Sequence, residues 1–189
     1  YDVDANWHGL CAILPTLPHL RVLHVQGPNS LAHSLSMVIK KCGQLRQVSL
    51  LGPTALGSVG MANGLMFLDR LRSVTLQPVD GWNPGLSLAL ACCTRLTTLH
   101  LGAKRIQAPR AYEITLMERI PLHVRHVVIS IPLLPASAAA LGSRLPHLTC
   151  LNHLRLRVDR THAPETIKIL SKALPHVPGL QTLRFEKTV

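Results

Sequence analysis

Eleven histidines, five cysteines and fourteen arginines are the residues of this chain that could do chemistry. The histidines invite a metal or acid–base reading. His123 and His126 are three apart in HVRH, but on a strand that spacing sends the two rings to opposite faces. No HExxH occurs, and Cys11, Cys42, Cys92, Cys93 and Cys150 form no CxxC pair, so no zinc-ligand spacing exists. A nucleophilic Cys or Ser needs a base and an orienting carboxylate, and nine acidic residues offer few candidates. GPTALGSVG (52–60) carries glycines without the Lys-Ser/Thr of a phosphate loop, and GxGxxG is absent. The expectation is a protein that is not an enzyme, with no cofactor and no metal.

The arginines point elsewhere. Lys plus Arg number 20 against 9 Asp plus Glu, a formal charge of +11. Such an excess favours an acidic partner, whether an acidic or phosphorylated protein surface or an RNA backbone. Two Phe, two Tyr and two Trp leave little for base stacking, so RNA contact would be to phosphates and largely blind to sequence. An odd cysteine count without a paired framework suits a reducing, intracellular compartment, cytoplasmic or nuclear, or mitochondrial if the partner is an organellar RNA. The longest apolar run, 127–141, is broken by Pro132 and Pro135 and is too short to span a bilayer, so no membrane role is expected.

The elements that must position these side chains are written seven times. HLRVLHVQ (19–26), QLRQVSLL (44–51), RLRSVTLQ (70–77), RLTTLHLG (95–102), HVRHVVIS (123–130), NHLRLR (152–157) and GLQTLRFE (179–186) share one template. Aligned on Leu20, Leu45, Leu71, Leu96, Val124, Leu151 and Leu180, they step by 25 to 29 residues. Three positions on stand Leu23, Val48, Val74, Leu99, Val127, Leu154 and Leu183; two further on stand Val25, Leu50, Leu76, Leu101, Ile129, Leu156 and Phe185. All three columns are apolar throughout. The last two are separated by two residues, the spacing of one strand face, so each unit predicts a short strand with two inward side chains.

Between strands, helical spacing recurs. Leu31, Leu35, Val38 and Cys42 form one stripe; Pro84 followed by Leu86, Leu90 and Cys93 forms another, with Asn83 as a cap; Pro164, Ile167, Leu170, Leu174 and Val177 form a third. The stretch 52–66, with four glycines, argues against a regular helix. One strand-plus-helix unit cannot bury its apolar face alone, so the units must stack. Six steps of about 4.8 Å then give a parallel sheet roughly 30 Å across.

A strand and a return segment at this period resemble the leucine-rich repeat, in its ribonuclease-inhibitor-like branch, which includes the repeat arms of F-box proteins. CGQLRQVSL (42–50) and CTRLTTLHL (93–101) resemble the cysteine-containing variant, C-x-x-L-x-x-L-x-L. The resemblance covers about residues 7–187, and WHGLCAILPTL (7–17) reads as the return half of a further unit. It departs after the strands, where the family places Asn or Cys and this chain has Pro28, Pro53, Val79, Lys104, Pro132 and Asp159. It implies an α/β solenoid over 1–189, a single domain within a longer chain, with a curved sheet and Cys42 and Cys93 as core thiols. Its functional implication is protein recognition, in the F-box setting of a ubiquitin-ligase substrate.

Binding chemistry must then come from the outward strand positions. Four of those 21 are His, three are Arg, and Glu186 is the one acid. The last three strands gather His126, His153, Arg155, Arg157 and Arg184, with His126 and His153 in one row on adjacent strands. Just before the strands, Arg21, Arg46, Arg72 and Arg125 occupy equivalent places and line one rim. Arginine forks there would grip carboxylate or phosphate oxygens. Three functions follow: a protein-binding arm within a larger assembly, a basic structural subunit of a ribonucleoprotein such as an organellar ribosome, and a scaffold whose rim meets an acidic neighbour.

Overall fold

Segments long enough to carry the chain back across the sheet permit parallel pairing of the short aliphatic strands, and the seven strands pair so in chain order. The computed structural model describes residues 9, 11–26, 31–52, 59–78, 84–102 and 110–187. The strands are β1 (Val22–Gln26), β2 (Gln47–Gly52), β3 (Ser73–Pro78), β4 (Thr98–Leu101), β5 (His126–Leu133), β6 (His153–Val158) and β7 (Thr182–Lys187). They form one all-parallel sheet in the order β1 to β7. Between them run α1 (Leu31–Ile39), α2 (Val59–Met66), α3 (Pro84–Cys92), α4 (Arg110–Glu118), α5 (Pro135–Arg144) and α6 (Ala163–Ala173). Leu-Pro sequences open three 3₁₀ turns, Leu14–Thr16, Leu145–His147 and Leu174–His176, where the proline supplies a preset φ.

The register is the one the aligned columns require. Leu23, Val48, Val74, Leu99, Val127, Leu154 and Leu183 are successive Cα partners across the sheet, as are Val25, Leu50, Leu76, Leu101, Ile129, Leu156 and Phe185. From β2 to β6 both columns are buried, and they share one core with Leu35 and Ile39 of α1, Leu65 of α2, Leu90 of α3, Leu116 of α4, Leu141 of α5 and Leu170 of α6. The helices therefore cover one face of the sheet and leave the other open.

A second ladder fixes the layers just before the strands. The Arg21 carbonyl accepts from both Arg46 N–H (2.8 Å) and Gln47 N–H (3.0 Å). The same double bond repeats from Arg46 to Arg72 and Ser73, from Arg72 to Thr97 and Thr98, and onward to Gln181 and Thr182. Backbone groups thus hold one residue per layer in line, whatever its side chain.

Four expectations are corrected. First, the glycine-bearing stretch does form a helix, over 59–66. A Cβ on Gly64 would lie 2.9 Å from the Ser36 carbonyl oxygen, so glycine lets α2 lie close against α1 and packing overrides propensity. Gly52, at φ 110°, supplies the left-handed turn that ends β2.

Second, Pro132 is not in a loop after a strand but inside β5, which carries a bulge: Ile129 pairs with Leu156, yet Pro132 pairs with Arg157. Two residues, Ser130 and Ile131, are inserted. An even insertion keeps the alternation, so Ile131 and Leu133 stay buried.

Third, Ile167 is exposed; α6 instead buries Thr166 and Leu170, with Ile169 and Ala173 packed beside them. Fourth, Phe185 stands in the inward column but is 37% exposed, because no described layer follows β7. Pro28, Pro53, Val79, Lys104 and Asn83 lie outside the described residues.

Candidate interaction surface

The open face is built by the strand residues that alternate with the buried columns. Its first row runs Val22, Gln47, Ser73, Thr98, His126, His153 and Thr182, each a Cα partner of the next. His126 and His153 meet as the register demands. Their ring centroids are 4.5 Å apart and the planes are inclined by only 8°, a face-to-face stack. Partial desolvation, then the neighbouring His153 and Arg125, lower the proton affinity of His126.

The second row brings His100, Val128, Arg155 and Arg184 together. His100 Nε2 lies 3.0 Å from Ser130 Oγ, so the bulge residue turns back toward β4 instead of lining up with Arg157. Burial and then Arg155 hold His100 below its ordinary pKa.

At the far end, Glu186 is the organising anion. Arg155 pairs with it directly, and Arg184 Nε lies 3.4 Å away. In register, Glu186 stands beside Arg157. The hydrogen bond from Arg155, with the charges of Arg155, Arg184 and Arg157, keeps the Glu186 carboxyl below its usual range. Three arginines thus surround one carboxylate. The surplus positive charge faces solvent, but Arg155 is partly committed.

Arg21, Arg46, Arg72 and Arg125 are all exposed at the starts of their strands, held in line by the carbonyl ladder. Adjacent positions on it are about one strand spacing apart, near 4.8 Å. The rim is broader than the four residues singled out from sequence. Arg70 and Arg95, at one equivalent place a little earlier in their units, are also exposed, and Arg70 Nη1 donates to Gln44 Oε1 at 3.1 Å across the layers. Reading the same period one column before the first apolar residue finds them.

Other candidate groups serve packing. The Cys93 thiol, donating toward the carbonyls of Ala89 (3.3 Å) and Leu65 (3.6 Å), is pushed up to about 12 by burial and then by Cys92. Cys42 bonds to the Val38 carbonyl. Such thiols are poor nucleophiles. His123 lies in the turn before β5, not on the strand, and its Nε2 is 3.0 Å from the Cys93 carbonyl. Arg144, unmarked by any motif, forks onto the Ile120 carbonyl through Nε (2.9 Å) and Nη2 (2.7 Å), closing the segment that follows α4. Among the described residues no cluster of His, Cys, Asp and Glu could hold a metal ion, and no helix is long and apolar enough to cross a membrane.

The fold and this surface define an α/β protein with an all-parallel seven-stranded sheet, helices on one face, and histidine and arginine displayed on the other. No protein-family model matches the chain, and no curated protein matches it.

Proposed function

We propose that the chain is a non-catalytic interaction module of the leucine-rich-repeat type, holding a protein partner that bears acidic or phosphorylated side chains. The single observation that supports this most is the rim: Arg21, Arg46 and Arg72 are exposed on three consecutive layers, with Arg125 two layers on, each anchored by backbone bonds. The backbone ladder sets these arginines at the strand repeat, so their guanidinium forks can meet a row of carboxylates or phosphates in register, which favours recognition over mere solubility. The F-box setting is carried by resemblance alone, and the proposal stops at the module.

A second reading, a ribonucleoprotein subunit contacting RNA phosphates, draws on the +11 charge and the excess of Arg over Lys. Against it, the open face displays no outward Phe, Tyr or Trp on its strands: Phe185 stands in the inward column, and Phe67 lies just past α2.

The test compares wild type with the double reversal Arg46→Glu/Arg72→Glu. Labelled hexaglutamate, a phosphoserine peptide and a single-stranded RNA oligonucleotide serve as probes, each titrated at 50 and 200 mM salt. We expect peptide binding that drops at least tenfold in the folded double variant. Tighter RNA binding, with a steep salt slope, would move the conclusion to the second reading. Peptide binding unchanged by the reversal would remove the rim from the proposal.

A further inference from the structure

The arginines of the open face form a fixed positive field, and beside them two imidazoles stand stacked, side chains whose charge depends on protonation. We propose that the stacked His126–His153 pair is a proton-coupled receptor for an anionic oxygen group, carboxylate or phosphate, on the bound peptide. The module would then grip its partner more tightly as the pH falls. This inference rests on the interaction reading of the open face given above.

The geometry sets up the coupling. The two rings lie 4.5 Å apart on adjacent strands, near-parallel and on the face that no helix covers. The groups around them come from four strands. β4 presents Thr98 and His100; β5 presents Val128 and, just before it, Arg125; β6 presents Arg155, with Asn152 before it; β7 presents Thr182, Arg184 and Glu186. The one carboxylate in this set, Glu186, is held by Arg155 and Arg184. A proton added to either ring therefore meets cationic neighbours and an imidazole already stacked against it. Without a ligand His126 resists charging: partial desolvation, then His153 and Arg125, lower its proton affinity.

An anion over the stack reverses the balance. Each protonated imidazole offers two N–H donors and a full charge, whereas a neutral one offers a single donor. The strongest bonds to a carboxylate or phosphate oxygen are thus available only with protons taken up. By linkage, a ligand that prefers the protonated pair binds up to tenfold tighter per pH unit for each proton gained, across the window between the free and bound titrations. The arginines carry the affinity that does not depend on pH. The histidines add the part that does. His100, its Nε2 facing Ser130, is a poorer candidate for the same role.

The test is fluorescence anisotropy of labelled hexaglutamate from pH 8 to pH 5.5 at constant ionic strength, a range in which glutamate stays ionised. Wild type is compared with the double variant His126→Gln/His153→Gln, whose folding is checked by circular dichroism. We expect wild-type affinity to rise about tenfold or more from pH 7.5 to 5.5, and the double variant to be flat over that range. A phosphoserine peptide, whose phosphate itself titrates near pH 6, is read as the difference between the two proteins; a larger difference than for hexaglutamate assigns the site to phosphate, a smaller one to carboxylate. On the protein side, the His126 ring signals in an NMR titration should move to a higher midpoint when hexaglutamate is added. Rim-dependent binding with no pH dependence, or with the same dependence in the double variant, overturns this inference and leaves the interaction reading intact. Absence of peptide binding at every pH overturns both.

Discussion

The inner layers and the last layer carry the same kinds of residue at the same register positions, and they differ completely in burial. Leu99 in β4 is 0% exposed, whereas Leu183, three partners along the same column, is 40% exposed. Phe185 repeats the contrast in the neighbouring column, 37% exposed where Leu101 is 0%. The inward position is set by strand parity, but the loss of water contact is conferred by the next layer. In a stack, then, hydrophobic stabilisation belongs to the interface between units and not to a unit alone.

The sharpest way to break that comparison is to truncate the same column twice. Leu99→Ala should cost about 2–5 kcal/mol in urea denaturation, while Leu183→Ala should cost about 1 kcal/mol or less. Equal costs would mean that a neighbour unseen here shields the last layer. A smaller effect is expected where the helices touch. Gly64→Ala should destabilise by about 1–3 kcal/mol, because its methyl meets the Ser36 backbone and a backbone cannot swing away. Gly43→Ala, with nothing within 4 Å, should stay within about 0.5 kcal/mol.

The smallest effect is expected at the entrance to the terminal helix. Asp159 accepts bonds from the Thr161 backbone and hydroxyl and stands 3.0 Å from His162 Nδ1; those bonds hold its pKa at about 2. A lowered carboxyl pKa stabilises the fold above the unfolded value near 3.8, and that contribution fades as the pH falls toward 2. Asp159→Asn should lower the melting temperature by about 1–3 °C at pH 6, as a solvent-screened contact would, and the gap should close by pH 2.

Most of the sheet was legible because a parallel register keeps like positions adjacent. Once Leu20, Leu45 and Leu71 are aligned, the neighbours of every strand residue follow, and the His126–His153 contact follows with them. What escaped had physical reasons. Helix 59–66 is a case of packing against Ser36 outweighing glycine's poor propensity. The β5 bulge leaves no trace in a period-two pattern because it inserts two residues. Glu186 shares a strand face with Arg184, yet its principal partner is the diagonal Arg155, a reach that depends on rotamers and not on register. The exposure of Leu183 and Phe185 was illegible because nothing in a repeated unit announces that it is the last one described.

The bulge at Ser130 and Ile131 also says how this architecture tolerates changes of length. Removing one of the two residues would turn Pro132 and Arg157's neighbours inside out, sending Leu133 toward solvent and Leu134 toward the helices. Removing both would leave every side chain on its present face. Tolerance at this strand is therefore governed by arithmetic parity, so deletions should be survivable in pairs and ruinous singly.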